Sequence, residues 1–285
     1  MKIIKSLTSK DKKTVKYLQK TKDNNIIETG YYNLNEHIIC ISSQIGCPLG
    51  CIFCATGNPI DTLNPKKKFI RNLTSSEIVD QTKNVLDKIP KNKLNKKILF
   101  SFMGMGEPFL NYDNVLESIK ILSKEFPNSR TTISTIGINL FLIRKLAREK
   151  LKTTLKLHLS LHAPKNKLRK KILPNTKKIK PSLKALNYFS LKQGVPVKVN
   201  YILIKGLNDS KRHAKQLALL LKKYDFTVKI SNLNPFGGLE SSDIKKFELF
   251  EKILNGRNIK TCRFISTGTD IEAGCGQLRR HFKKR

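Results

Sequence analysis

Short apolar runs of strand length alternate along this chain with longer stretches in which apolar residues recur every three or four positions. The first two runs, Thr14-Val-Lys-Tyr-Leu and Ile26-Ile-Glu-Thr-Gly-Tyr-Tyr, flank the turn-like Lys22-Asp-Asn-Asn and predict a β-hairpin. His37-Ile-Ile-Cys-Ile-Ser reads as a first buried strand. Thr74-Ser-Ser-Glu77 is a capping box, which starts a helix that runs to about Asp87. A regular alternation follows. Strands are expected at 97–103, 130–136, 154–161, 195–204 and 226–231, with a short last strand at 259–265. Helices are expected near 112–125, 140–150, 183–192, 210–223 and 241–254. Tandem strand–helix units specify a parallel sheet with right-handed crossovers. The expected division is a basic N-terminal hairpin extension over 1–36 and one α/β body over 37–285, the latter ending in a cysteine-bearing loop and a basic tail.

Glycine and polar residues gather just past each strand. Gly104-Met-Gly-Glu-Pro follows one strand, Ser134-Thr-Ile-Gly closes the next, and Ser160-Leu-His-Ala-Pro the one after. Gly206-Leu-Asn-Asp-Ser and Asn234-Pro-Phe-Gly-Gly continue the series. In β/α barrels the active site is built where the strands end. An open, partial (β/α)6 barrel explains why all this punctuation falls on one face.

Charge changes the picture of what the face meets. Lys and Arg number 56 against 21 Asp and Glu, a formal charge of +35 in 285 residues. AT-rich codon usage inflates Lys but not this imbalance. A field of this sign recruits polyanions, so nucleic acid is the expected partner. No apolar run approaches the length of a membrane span, and Met1-Lys-Ile-Ile-Lys-Ser lacks the apolar core of a secretory signal. The six cysteines are unevenly spread and do not resemble a secreted disulfide framework, so a reducing cytoplasm is expected.

Three of those cysteines stand together in Cys47-Pro-Leu-Gly-Cys51-Ile-Phe-Cys54. Thiolates suit zinc, copper(I) and iron–sulfur clusters. A structural zinc site and a fully ligated 4Fe–4S cube each want four protein ligands. Three ligands leave one iron of a cube open to a small molecule. The CxxxCxxC spacing resembles the radical-SAM signature, in which S-adenosylmethionine (SAM) occupies that iron. The other candidates are weaker alone. Gly104-Met-Gly-Glu-Pro is an ordinary tight turn unless its glycines admit a ligand and Glu107 accepts from an ammonium group. Ser160 and His162 could be a satisfied strand end, and Asn234-Pro a plain turn. Cys262 reads as a packed thiol, Cys40 as a buried one, and Cys275 as a loop thiol between two glycines. The Lys clusters at 66–68, 165–180 and 282–285 could each be solvated surface.

Together, Cys40-Ile-Ser-Ser-Gln-Ile-Gly-Cys47, Phe102-Met-Gly-Met-Gly-Glu-Pro108, Leu159-Ser-Leu-His-Ala-Pro164 and Ala273-Gly-Cys-Gly-Gln-Leu278 resemble the RlmN/Cfr family of radical-SAM enzymes that methylate adenine in RNA. The similarity runs in order from about Ile26 to Leu278. It implies a 4Fe–4S cluster on Cys47, Cys51 and Cys54, and two SAM molecules per turnover. SAM contacts carry over to Gly106, Glu107, Ser134, Ser160, Leu161, His162 and Asn234. Cys275 would carry a methyl group and form a thioether with the adenine, Glu28 would accept the ring proton, and Cys40 would release the product. Ring carbon 2 is favoured over carbon 8, in ribosomal RNA, transfer RNA or both. The resemblance further implies an external electron donor such as flavodoxin or ferredoxin, and a monomer with no membrane role. Family members carry a small helical domain before the hairpin, whereas this chain starts almost at the hairpin. A non-catalytic RNA-binding iron–sulfur protein is the rival of another class.

Overall fold

A computed structural model describes residues 1–57, 68–90, 92, 96–271, 273, 274 and 276–279. Three antiparallel strands begin the chain, β1 (Lys2–Thr8), β2 (Thr14–Lys20) and β3 (Ile26–Asn33), and β3 pairs antiparallel with β4 (His37–Cys40). A two-stranded ribbon, β5 (Gln44–Gly46) with β6 (Phe69–Asn72), follows β4. Then come α1 (Ser75–Leu86), β7 (Ile98–Phe102), α2 (Tyr112–Glu125), β8 (Arg130–Thr135), α3 (Leu140–Leu146) and β9 (Thr154–Ser160). Two helices, α4 (Asn166–Ile172) and α5 (Ile179–Gln193), separate β9 from β10 (Val197–Ile202). The chain closes with α6 (Lys211–Leu221), β11 (Phe226–Ser231), α7 (Ile244–Asn255) and β12 (Thr261–Phe264).

All but the ribbon join one ten-stranded sheet, ordered β1-β2-β3-β4-β7-β8-β9-β10-β11-β12. From β4 onward every neighbour is parallel. The mixed α/β architecture, its parallel series and its N-terminal hairpin are those the pattern predicted. Three details differ. β1 adds a third strand to the expected hairpin, α4 occupies what read as a basic connector, and α5 starts at Ile179 rather than near Leu183.

The two faces of the strands explain the sheet. Leu155, Leu157 and Leu159 of β9 and Val197, Val199 and Tyr201 of β10 join Leu183, Leu186 and Phe189 of α5 in the apolar core. The alternate positions, Lys156, His158 and Ser160 on β9 and Lys198 and Asn200 on β10, point the other way, as the period of two requires. The face away from the helices is therefore polar.

Past β12 the chain returns to the far end of the sheet. Thr14 Oγ1 donates to Thr267 Oγ1 at 2.8 Å, and the Lys10 N–H donates to Asp270 Oδ2 at 2.8 Å. The last described residues thus lie against β2 and β3. The basic tail at 282–285 and residues 58–67 lie outside the described residues.

Candidate active site

The parallel strands end around a cavity of about 290 Å³. Cys47, Cys51, Cys54, Gly106, Glu107, Ser134, Ser160, His162 and Asn234 all line it. Leu161 does not: it is buried behind the wall, its N–H bound to the Asn200 carbonyl and its own carbonyl to Arg169.

The cysteine loop is held by its backbone. The Cys47 N–H donates to the Lys68 carbonyl at 2.9 Å, and the Cys54 N–H to that of Cys51 at 3.1 Å. Behind it lies α4, where the Ile172 carbonyl accepts from Ile52 N–H at 3.2 Å, and just past that helix Asn175 Nδ2 donates to the Leu49 carbonyl at 3.0 Å. Among the described residues no three Cys, His, Asp or Glu side chains converge to hold a single metal ion. All three thiols line one cavity, and three thiolates would fit a cube by taking one iron each.

The Gly104-Met-Gly-Glu loop is clamped to the segment after β4. Met105 accepts from Ser43 N–H at 2.8 Å, and Gln44 Oε1 accepts from Glu107 N–H at 2.8 Å. Gly106 has φ +98°, and a Cβ there would sit 2.6 Å from Gln44 Cβ, so both conformation and space require glycine. Glu107 Oε2 accepts from Ile136 N–H at 3.0 Å and Oε1 from Phe109 N–H at 3.1 Å. Burial nevertheless pushes its carboxyl up to about 7.

His162 sits at φ +54°, a strained setting for a non-glycine residue. Asn208 pins it by donating to its carbonyl at 2.8 Å, and Phe53 of the cysteine loop meets its ring edge-on at 5.0 Å. Its Nδ1 accepts from Ile202 N–H at 3.1 Å, and burial pushes its pKa down to about 3, so the ring is neutral. Three side-chain atoms in the cavity wall, Ser134 Oγ, Asn200 Oδ1 and Asn234 Oδ1, are buried without a hydrogen-bond partner. Buried polar atoms are normally satisfied, so these await a ligand. A molecule with amino, carboxylate, hydroxyl and ring-nitrogen groups, such as SAM, would meet that need.

Two supports escaped the sequence. Arg169 reads as one more cation in a basic run, yet it is fully buried. Its guanidinium donates to the carbonyls of Ile136 (2.8 Å), Ser160 (3.0 Å), Leu161 (3.2 Å) and Lys177. It therefore ties the ends of β8 and β9 to α4. Gln81 of α1 reads as a surface helix residue, yet it exchanges two hydrogen bonds with the Ser42 backbone, at 2.9 and 2.8 Å.

Cys40 and Glu28 lie on adjacent strands. Cys40 pairs with Gly30, where a Cβ would come within 3.2 Å of Cys40 Cβ, so Gly30 leaves room beside the thiol. Glu28 is buried and fully engaged. Lys16 Nζ lies 2.8 Å from Oε2, which also accepts from Gly276 N–H at 3.0 Å, while Oε1 accepts from Arg279 N–H at 2.7 Å. The carboxylate thus anchors Gly276 and Arg279, a holding role the sequence did not suggest. Cys275 itself lies outside the described residues.

The Radical SAM superfamily model matches residues 41–218. The probable dual-specificity RNA methyltransferase RlmN of Thermotoga neapolitana is 39% identical over 287 positions, covering 98% of this chain and 79% of its own. The protein of the same name from Dictyoglomus thermophilum is 41% identical, covering 95% and 77%. A crystal structure of a radical SAM methyltransferase from Sphaerobacter thermophilus superposes with a TM-score of 0.87 at 32% identity, covering 98% of this chain and 81% of that one.

Proposed function

Because this chain belongs to the RlmN family of radical-SAM RNA methyltransferases, we propose that it methylates carbon 2 of an adenine in ribosomal RNA, transfer RNA or both. That carbon is electron-poor and cannot attack a sulfonium methyl as a ring nitrogen does, so the chemistry needs a cofactor. When bound, the cluster and two SAM molecules supply a hydrogen-abstracting radical and a methyl group. Cys47, Cys51 and Cys54 would hold the cluster. Gly106, Glu107, Ser134, Ser160, His162 and Asn234 would orient SAM, with Leu161 contributing through the wall behind them.

Cys275 carries the methyl group, whose carbon bonds to the adenine and joins protein to RNA through a thioether. Glu28 takes the ring proton, which requires its bond to Lys16 or to a loop N–H to loosen. Cys40 then attacks the Cys275 sulfur and releases the RNA. One observation supports this two-cysteine scheme above others. Gly274 lines the cavity and Gly276 is bound to Glu28, on the strand beside that of Cys40. The residues flanking position 275 are therefore tied to both the cavity and the proposed base.

A cytoplasmic setting, a monomer over 1–285 with its hairpin extension at 1–36, and a flavodoxin- or ferredoxin-type electron donor complete the reading. No helix among the described residues is long and apolar enough to cross a membrane. Denaturing gels with and without ribonuclease test the scheme. Cys40→Ala should carry covalent RNA and Cys275→Ala none, because the first blocks release and the second blocks formation. Near-normal activity in Cys275→Ala, or no adduct in Cys40→Ala, would sink it.

A further inference from the structure

The helices on the outside of the sheet pack in pairs, α3 against α5 and α6 against α7. Between α5 and α6 lies a groove of about 460 Å³. Lys165, Lys180, Lys184, Lys222 and Lys223 line it. So do Leu219, which is 53% exposed, and Tyr224, whose ring is backed by Phe226 in a stack at 4.9 Å. The groove starts beside the active site. Pro164 and Lys165 line it, while His162, on the same short stretch of chain, lines the cavity.

No carboxylate lines this groove. Between Glu149 and Asp225 the sequence holds a single acidic residue, Asp209. That residue is buried and accepts from Ser242 Oγ at 2.9 Å, so its charge is turned inward. All five groove lysines are exposed, and among the described residues none of them has an ion pair. Cations elsewhere on the surface do pair, Lys83 with Glu125, Lys205 with Glu240 and Arg263 with Glu251. Like charges around one groove repel one another, and a bound polyanion relieves that repulsion while releasing its own counterions.

We propose that the groove between α5 and α6 holds the RNA chain outside the target nucleotide, its lysines meeting phosphates and Leu219 and Tyr224 meeting bases. The inference rests on the RNA-methylating reading above. A basic groove with an aromatic wall is the arrangement that tracks a nucleic-acid strand. Phosphate contacts fix position and carry no sequence information, so the groove holds the RNA while the cavity selects the adenine. The distance suits that division. Lys165 is the N-cap of α4, whose seven residues span about 10 Å. The last of them, Ile172, holds the cysteine loop through Ile52. RNA in the groove therefore lies one short helix from the cluster cysteines.

The test compares two variants of equal net charge in the anaerobic, cluster-loaded protein. One replaces Lys180, Lys184, Lys222 and Lys223 by Gln. The other replaces Lys88, Lys120, Lys124 and Lys245, exposed lysines outside the groove. Affinity for unmodified transfer RNA and for protein-free ribosomal RNA is measured across a salt series. The groove variant should bind at least about tenfold more weakly, and its slope of log affinity against log salt should be shallower by about 2–3, at roughly 0.7 per lost phosphate contact. Its KM for RNA should rise while kcat and SAM affinity hold. The matched variant should stay close to wild type. Bound RNA should also shield the groove lysines of the wild type from acetylation, a measurement that needs no variant. Equal losses in the two variants, or groove lysines acetylated as fast with RNA as without, overturn the proposal. So does binding to phosphatidylserine vesicles that the groove substitutions abolish while RNA affinity is untouched, which would assign the surface to a membrane. A wild type that binds RNA in the groove yet methylates no adenine would instead strike the methylation reading and leave the groove standing.

Discussion

Glu107 offers a quantitative check on the cavity. Burial lifts its carboxyl from the ordinary 4.5 to about 7, against the pull of the Ile136, Thr135 and Phe109 hydrogen bonds. Between these two values the folded protein keeps a proton that the unfolded chain has released. The stabilisation is therefore present at low pH and is lost as pH rises through about 7. The full loss is about 3 kcal/mol, with roughly 2–3 kcal/mol of it falling between pH 5 and pH 8. Glu107→Gln has no proton to lose. It also gives up one acceptor, leaving the Ile136 N–H short of a partner at a cost of about 1–3 kcal/mol, but that offset does not vary with pH. The measurement is urea unfolding of both proteins without SAM, under anaerobic conditions, at pH 5 and pH 8. The advantage of wild type over variant should shrink by about 2–3 kcal/mol across that window. All other titrations are shared and cancel. Curves that stay parallel within about 0.5 kcal/mol would show that the carboxyl is not desolvated as described. Bound SAM should flatten the wild-type dependence, since its ammonium would stabilise the ionised carboxylate.

Three further outcomes follow from other residues. Lys16→Met leaves the Glu28 carboxylate buried with backbone donors alone; it should cost about 3–5 kcal/mol in urea unfolding and speed proteolysis at 273–279, and Lys16→Met combined with Glu28→Gln should recover part of the loss. Burial holds His158 down to about 3 from an ordinary 6.5, so its stabilisation is present above pH 6.5 and is lost as pH falls; His158→Gln should lose stability less steeply on acidification, by about 1.4 kcal/mol per pH unit, and equal slopes at pH 6 and pH 5 would contradict this. Gly106→Ala meets both the φ of +98° and the contact with Gln44; calorimetric titration should find SAM affinity lost, and unaltered affinity would show that the loop has room to spare.

Much of the framework is legible because its signals are local. Thr74 and Glu77 form the expected capping box, with bonds of 2.9 and 3.2 Å. The parallel strands show because their apolar alternate positions are dense. β1 hides because Lys2-Ile-Ile-Lys-Ser-Leu-Thr is an edge strand, which needs backbone pairing more than an apolar face. α4 hides because it is seven residues long, rich in lysine and without a side-chain cap; what holds it is Ile172 and the buried Arg169. The site divides the same way. The cysteine spacing speaks for itself, and of the glycines past the strands Gly104 and Gly106 line the cavity while Gly206, Gly237 and Gly238 do not. Arg169 and Gln81 do not, because their meaning lies in carbonyls and amides converging from distant segments. The roles proposed for Glu28, Cys40 and Cys275 came from family resemblance, as nothing in their local sequence distinguishes them from packed or loop residues.

The return of the last residues onto β2 and β3 has a consequence in time. The bonds Lys10–Asp270, Thr14–Thr267 and Glu28–Gly276 join positions about 250 residues apart. A chain made from its N-terminus folds early parts first, and contacts of such separation form last. The hairpin, the cysteine loop and most of the cavity wall can all assemble while the ribosome still holds the C-terminal end. The segment that brings the proposed methyl-carrying thiol cannot dock until the residues after β12 have been made. A chain lacking the residues after β12 would therefore still form its sheet and most of its cavity wall, but not the segment proposed to carry the methyl group.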